Sequence, residues 1–111
     1  MNKDNVYIKD ILDIIFEIEN SVRDLKYEEF IENRTVYRAV ERNFEIIGEA
    51  VKKLSNEFTS KYPEIPWLDI GGFRDVLIHE YAAVNAETVW DTLREDIPKL
   101  KAVLKSALSK E

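Results

Sequence analysis

At 111 residues, with 22 acidic and 16 basic side chains and a formal charge of −6, the chain has the size of one domain (1–111) able to bury a proper hydrophobic core. It has no cysteine and one histidine, which excludes disulfides and thiolate metal sites, leaves a zinc site dependent on carboxylates, and implies neither metal nor cofactor. Apolar runs of a few residues exclude a membrane span, the polar MNKDNVYIKD start is no secretory signal, and the cytoplasm is the expected compartment. The acidic balance argues against a non-specific grip on nucleic acid, which depends on Lys and Arg neutralising phosphates, although a small cleft can oppose the net charge locally.

The first element runs from Asp4 to about Val22. Ile8, Ile11, Leu12, Ile15, Ile18 and Val22 recur at three- and four-residue steps, while Lys9, Asp10, Asp13 and Glu17 cover the other side. Asn2 or Asp4 supplies a cap for the free amides of its first turn. Ile14 and Phe16 widen the stripe enough to call for two helix neighbours. Tyr27 to Ile31 reads as a short helical turn, with Asn33 as its stop.

The longest pattern follows, from about Thr35 to Tyr62. Val36, Tyr37, Val40, Phe44, Ile47, Val51, Leu54 and Phe58 keep a heptad-like rhythm with no proline before Pro63, so one helix is expected, capped by Thr35 and ended by Pro63 and Pro66. Gly48 costs about 1 kcal/mol against alanine there, which points to a close helix contact. Arg34, Arg38 and Arg42 recur every four residues. They form either a basic strip for RNA or a partner, or a solvated face with ion pairs such as Arg42 to Glu45 and Glu49 to Lys53; such alternation is common on exposed faces and favours the second.

Pro63 to Pro66 is a linker. Trp67 to roughly His79 is the third main helix, striped by Trp67, Ile70, Phe73 and Leu77. Ala82 to Ala86 is a turn, and Asn85 caps a last helix from Ala86 to about Leu108. Pro98 predicts a kink or short break near Ile97. No strand pattern or repeat is present. The fold class is all-α, an antiparallel bundle of four main helices with a short extra helical turn.

The chemistry concentrates in WLDIGGFRDVLIHEY, Trp67 to Tyr81. Arg74, the lone His79 and Tyr81 give a cation, a titratable imidazole and a phenol within eight residues, a set suited to work on a phosphate. Taken singly, each has an ordinary structural use: His79 at a helix C-terminus, Arg74 paired with Asp75 or Glu80, Tyr81 in the core with a wet hydroxyl. Residues five apart on a continuous helix differ by about 140° and about 7.5 Å in rise. Arg74 and His79 therefore share a site only where the helix ends near His79 or the long arginine curls toward it.

The form Arg-x4-His-x-Tyr resembles the signature of the HEPN superfamily of small helical bundles, many of them metal-independent ribonucleases. VERNFEIIGEAVKKL and WLDIGGFRDVLIHEY look like the HepT-type toxins, and the likeness runs from the first helix to about Leu100. The resemblance implies a HEPN-like bundle, RNA as substrate, a homodimer, and a cognate MntA-like nucleotidyltransferase antitoxin that transfers AMP to Tyr81. One position departs: Asp75 stands where the family often has asparagine, and a carboxylate there either holds Arg74 or repels a phosphate.

RNA cleavage through the 2′-hydroxyl needs a base and an acid. Histidine suits both, yet one chain offers one. A two-fold dimer brings two copies of Arg74 and His79 into one cleft, as the resemblance also implies, and Gly71 and Gly72 either make a close two-fold contact or loosen the helix start. The leading expectation is an endoribonuclease toxin with His79 as general base or acid, Arg74 on the phosphate and Tyr81 as the modification site. The alternative is a non-catalytic helical adaptor for a nucleotidyltransferase.

Overall fold

The computed structural model describes residues 3–72 and 86–110. Every regular element among them is helical, as the periodicities require. Helix α1, Lys3–Val22, buries Ile8, Ile11, Ile15 and Ile18, the stripe read from the sequence. After it Asp24 adopts φ 67°, a left-handed conformation that aspartate tolerates better than most non-glycine residues. Helix α2, Tyr27–Glu32, is opened by a hydrogen bond of 2.9 Å from the Lys26 amide to the Glu29 carboxylate and buries Phe30.

Asn33 serves two helices. Its amide donates to the Glu29 and Phe30 carbonyls, closing α2, while its side-chain oxygen accepts from the Val36 amide at 3.1 Å, opening α3. Asn33 is thus the stop that was expected, and it also takes the capping role assigned to Thr35.

Helix α3 covers Arg34–Lys52 and buries Val40, Phe44, Ile47 and Val51. The single helix expected from Thr35 to Tyr62 is broken here. Helix α4, Asn56–Ser60, is a separate turn capped by Ser55, whose hydroxyl accepts from the Phe58 amide at 3.1 Å. The same residue donates its amide (2.9 Å) and its hydroxyl (2.6 Å) to the Asp4 carboxylate on α1. Leu54 and Phe58 remain buried, so the rhythm marked the buried residues correctly while missing the break between them. Asp4, a cap candidate for its own helix, supplies both acceptors at this junction.

Residues 67–72 form helix α5, starting at Trp67 as expected. The Trp67 indole donates to the Tyr62 carbonyl at 2.9 Å, its ring meets Phe58 edge-on, and Ile65 of the linker is buried. The last helical pattern comprises α6, Ala86–Asp91, a π-helical turn, Thr92–Asp96, and α7, Ile97–Ser109. The interruption expected near Ile97 takes the form of this wider turn. Pro98 has no amide for the Arg94 carbonyl and its ring crowds that oxygen; the π turn relieves both, and Pro98 falls in the first turn of α7 where proline is tolerated.

Helix α1 packs against both α3 and α7, the two neighbours its broad stripe required. Leu93, Ile97, Leu100 and Leu104 complete the core, and Glu19 meets Lys101 at 2.9 Å across α1 and α7. Of the four main helices expected, α1, α3 and the α6–α7 unit correspond to three. Helix α5 starts where the remaining one was expected to start; its expected end near His79, the following turn and the Asn85 cap lie outside the described residues. Among the described residues no helix is long and apolar enough to cross a membrane.

The junction can be checked directly. Ser55→Ala is expected to cost about 1 kcal/mol and lower Tm by about 4 °C in thermal unfolding, whereas exposed Ser60→Ala should leave it unchanged.

Candidate active site

Arg74, Asp75, His79 and Tyr81 all lie outside the described residues; the structure defines the frame on either side of them. On the entry side, Gly71 is buried against α3. A Cβ placed on it would stand 3.1 Å from the Lys52 Cγ and 3.9 Å from the Gly48 carbonyl. The close contact expected of Gly48 is therefore found, and Gly71 is its counterpart. Gly72 differs, because a Cβ there meets nothing within 4 Å. Four residues before Gly72, on the same helical face, Leu68 is 92% exposed. Gly71 thus serves packing inside the chain, and Gly72 with Leu68 forms the bare side of α5.

The return side is held by aromatic packing. Val89 of α6 is fully buried. Trp90 lies 5.1 Å from Phe30 and 5.9 Å from Tyr27 between ring centroids, and Phe30 in turn meets Tyr37 of α3 at 5.4 Å. The Arg94 guanidinium sits over the outer part of this cluster, 5.4 Å from the Trp90 centroid. The motif segment therefore leaves one fixed point on α3 and returns to another on α2 and α3.

A cleft of about 260 Å³ opens between these two anchors. Phe44, Ile47, Ile70 and Ile97 make it apolar, and Asp69, Asp96, Thr88 and Thr92 supply its polar atoms. Two carboxylates give this cleft the wrong sign for a phosphate. Among the described residues no group of three His, Cys, Asp or Glu side chains is placed to hold a metal.

Arg42 pairs with Glu45 at 3.0 Å, which is the ion-pair reading, and Arg34 and Arg38 are exposed at the start of α3. Two features escaped the sequence reading. Glu41 is 6% exposed, the one buried charged residue among those described; it follows Val40 and was passed over, although Tyr37, Glu41, Phe44 and Gly48 fall on one helical line that could have flagged it. Trp90 falls on the apolar stripe of the last helical pattern with Leu93, and its i, i+4 spacing to Arg94 is the sequence sign of the pair.

In sequence, an arginine, a histidine and a tyrosine fall within eight residues between α5 and α6 of this helical chain. Comparisons with known proteins give the family. The model described as ribonuclease HepT-like matches residues 11–107. A "Putative RNase" of Caldanaerobacter subterraneus is 41% identical over 105 residues, 95% of this chain and 94% of that protein. A "Putative RNase" of Methanocaldococcus jannaschii is 45% identical over 95 residues, 86% of this chain and 82% of that protein. The "Probable ribonuclease HepT" of Thermococcus cleftensis is 43% identical over 95 residues, 86% of each chain. No solved structure matches. The chain belongs to the HepT-like ribonuclease family.

Gly71 offers a test of the frame. Gly71→Ala needs only a small shift of the flexible Lys52 side chain and regains helix propensity, so stability should stay within about 1 kcal/mol of the parent. Gly71→Leu should cost about 1–3 kcal/mol by forcing α5 away from α3, read by chemical denaturation.

Proposed function

We propose that this chain is a metal-independent endoribonuclease, the toxin of a toxin–antitoxin pair in the cytoplasm, working as a dimer of identical chains. The observation that carries the reading is the Arg74-x4-His79-x-Tyr81 motif in a member of the HepT-like ribonuclease family. In the reaction a histidine takes the 2′-hydroxyl proton and the freed oxygen attacks the adjacent phosphorus. The bond from phosphorus to the 5′-oxygen breaks, and a second histidine protonates the leaving oxygen. The products are a 2′,3′-cyclic phosphate and a 5′-hydroxyl. Histidine is the residue for both steps because its ordinary pKa of about 6.5 lets it take and give a proton near neutrality. With one histidine per chain, the pair comes from two copies of His79. Two Arg74 guanidiniums stabilise the charge that develops on the phosphorane, and Asp75 holds Arg74 beside it.

The bare side of α5 supports pairing of chains. Leu68 is almost wholly exposed and Gly72 is open, and both lie immediately before the motif. A second copy set against this side would cover the leucine and bring the two motifs together. Leu68→Glu is expected to shift the protein to monomers in light scattering and to remove cleavage together with dimerisation. A variant that remained dimeric would place the interface elsewhere.

Silencing follows from Tyr81. A partner nucleotidyltransferase would join the phenol oxygen to the α-phosphate of ATP with loss of pyrophosphate and the phenolic proton. The adduct sets bulk and negative charge where an RNA phosphate must sit. The resemblance of the motif stretch to HepT-type toxins supports this step. Purified protein is expected to cut RNA with a chelator present. His79→Ala should cut at least about 100-fold more slowly, the smallest loss usual for a general acid or base, and should relieve growth inhibition on expression. Incubation with the partner enzyme and ATP should add AMP to the Tyr81 peptide in mass analysis; an unmodified peptide with an active partner would sink the silencing step. Continued cleavage by His79→Ala would remove His79 from the catalytic assignment, whereas no cleavage by the parent protein would return the chain to the adaptor reading.

A further inference from the structure

We infer that Arg94, seated over Trp90, is a stacking platform for an unpaired base of the RNA, outside the catalytic motif; the inference rests on RNA being the substrate. Nucleic acid meets an unfavourable chain overall, with a formal charge of −6. The apolar cleft beside the motif adds Asp69 and Asp96 to that problem. A strand therefore needs a local foothold, and the aromatic cluster on α2 and α6 provides one.

The details favour a base over a protein side chain or a free anion. Trp90 is half-buried, backed by Phe30 and edged by Tyr27, so its ring is fixed. Arg94 is exposed and lies over that ring at 5.4 Å, within the range of a cation–π contact. Asp91 and Glu95 flank it in sequence, yet among the described residues no carboxylate lies within 4 Å of its guanidinium. The guanidinium is exposed as well as placed over the ring, so its N–H groups and planar surface are open to solvent. Unpaired RNA bases stack on arginine planes as they do on aromatic rings. The π-helical turn Thr92–Asp96, opened by Pro98, carries Arg94.

Position agrees with this use. Trp90 stands one helical turn after Ala86, and Ala86 is five residues after Tyr81. Five residues span at most about 18 Å and the helical turn adds about 6 Å. The platform is therefore within reach of a strand whose scissile phosphate lies at the motif. A purely structural role for the pair would tie α6 to its own π turn and have no effect on RNA.

The test uses the full-length dimer and a single-stranded RNA carrying 2′-O-methyl groups, which binds without being cut. Binding is read by fluorescence anisotropy for the parent, Arg94→Ala and Arg94→Lys, each checked for the parental Tm. Both variants are expected to lose about tenfold or more in affinity for the single strand, the scale of one stacked base, with little change for a duplex of the same sequence. Lysine keeps the charge over Trp90 and lacks the plane, so full rescue by Arg94→Lys would overturn the platform, as would parental binding by Arg94→Ala. Cleavage of unmodified RNA by the parent and by His79→Ala is measured alongside. Intact cleavage with unchanged Arg94→Ala binding rejects the platform alone. Absent cleavage with weakened Arg94→Ala binding rejects the ribonuclease reading and leaves the platform standing.

Discussion

The fold turns on a reversal that hydrogen bonds to one carboxylate hold in place. Asp4 of α1 takes both the amide and the hydroxyl of Ser55, and Ser55 caps the short α4. Without that stop, the apolar rhythm from Thr35 to Tyr62 would extend as one rod of about 42 Å. Helices α1 and α3, with 20 and 19 residues, are each close to 30 Å long at the same rise, and they match. A rod would overshoot α1 by about two turns and leave Leu54 and Phe58 wet. The reversal instead folds both into the core, seats Trp67 on Phe58 and returns the chain so that Gly71 meets Gly48.

That geometry fixes what the motif has to work with. The segment between Gly72 and Ala86 is tied at one end by a glycine contact, which sets a close approach to α3, and at the other by a tryptophan against two aromatic rings. The first leaves little room beyond a methyl group and the second is filled by a very large side chain, so the two ends tolerate opposite substitutions. Between them the local charge is mixed. The cleft carries carboxylates, Arg42 is engaged with Glu45, and the exposed arginines stand at the start of α3 and on the π turn.

Much of the fold was legible in the sequence because burial is periodic. The α1 stripe, the Asn33 stop, the start at Trp67 and the disturbance before Pro98 are local consequences of spacing and backbone chemistry. The break after Lys52 was not legible. Ser55 and Asn56 look like ordinary polar positions on a helix, and the group that makes Ser55 a cap partner is 51 residues away in sequence. Thr35 lost its role to Asn33 for a related reason: two residues with capping side chains stood two positions apart, and geometry chose the one that could also close α2. At the site the motif was visible as residue types and offsets. The Trp90 and Arg94 pair was hidden because an aromatic residue on an apolar stripe reads as core, and its outer face is seen only in three dimensions.

The position of α1 has a consequence for how the chain can be made. Its four buried isoleucines rest on α3 and on α7, and Glu19 reaches Lys101, 82 residues further on. During synthesis α1 emerges before either of its partners and is fully covered only when α7 arrives. Until α7 has left the ribosome, one flank of that isoleucine stripe has no partner helix to lie against, and a shortened product ending before Ile97 forfeits Leu100 and Leu104 as well. Assembly of this domain therefore waits for α7, and a product cut before it is an unfinished fold rather than a smaller version of the protein.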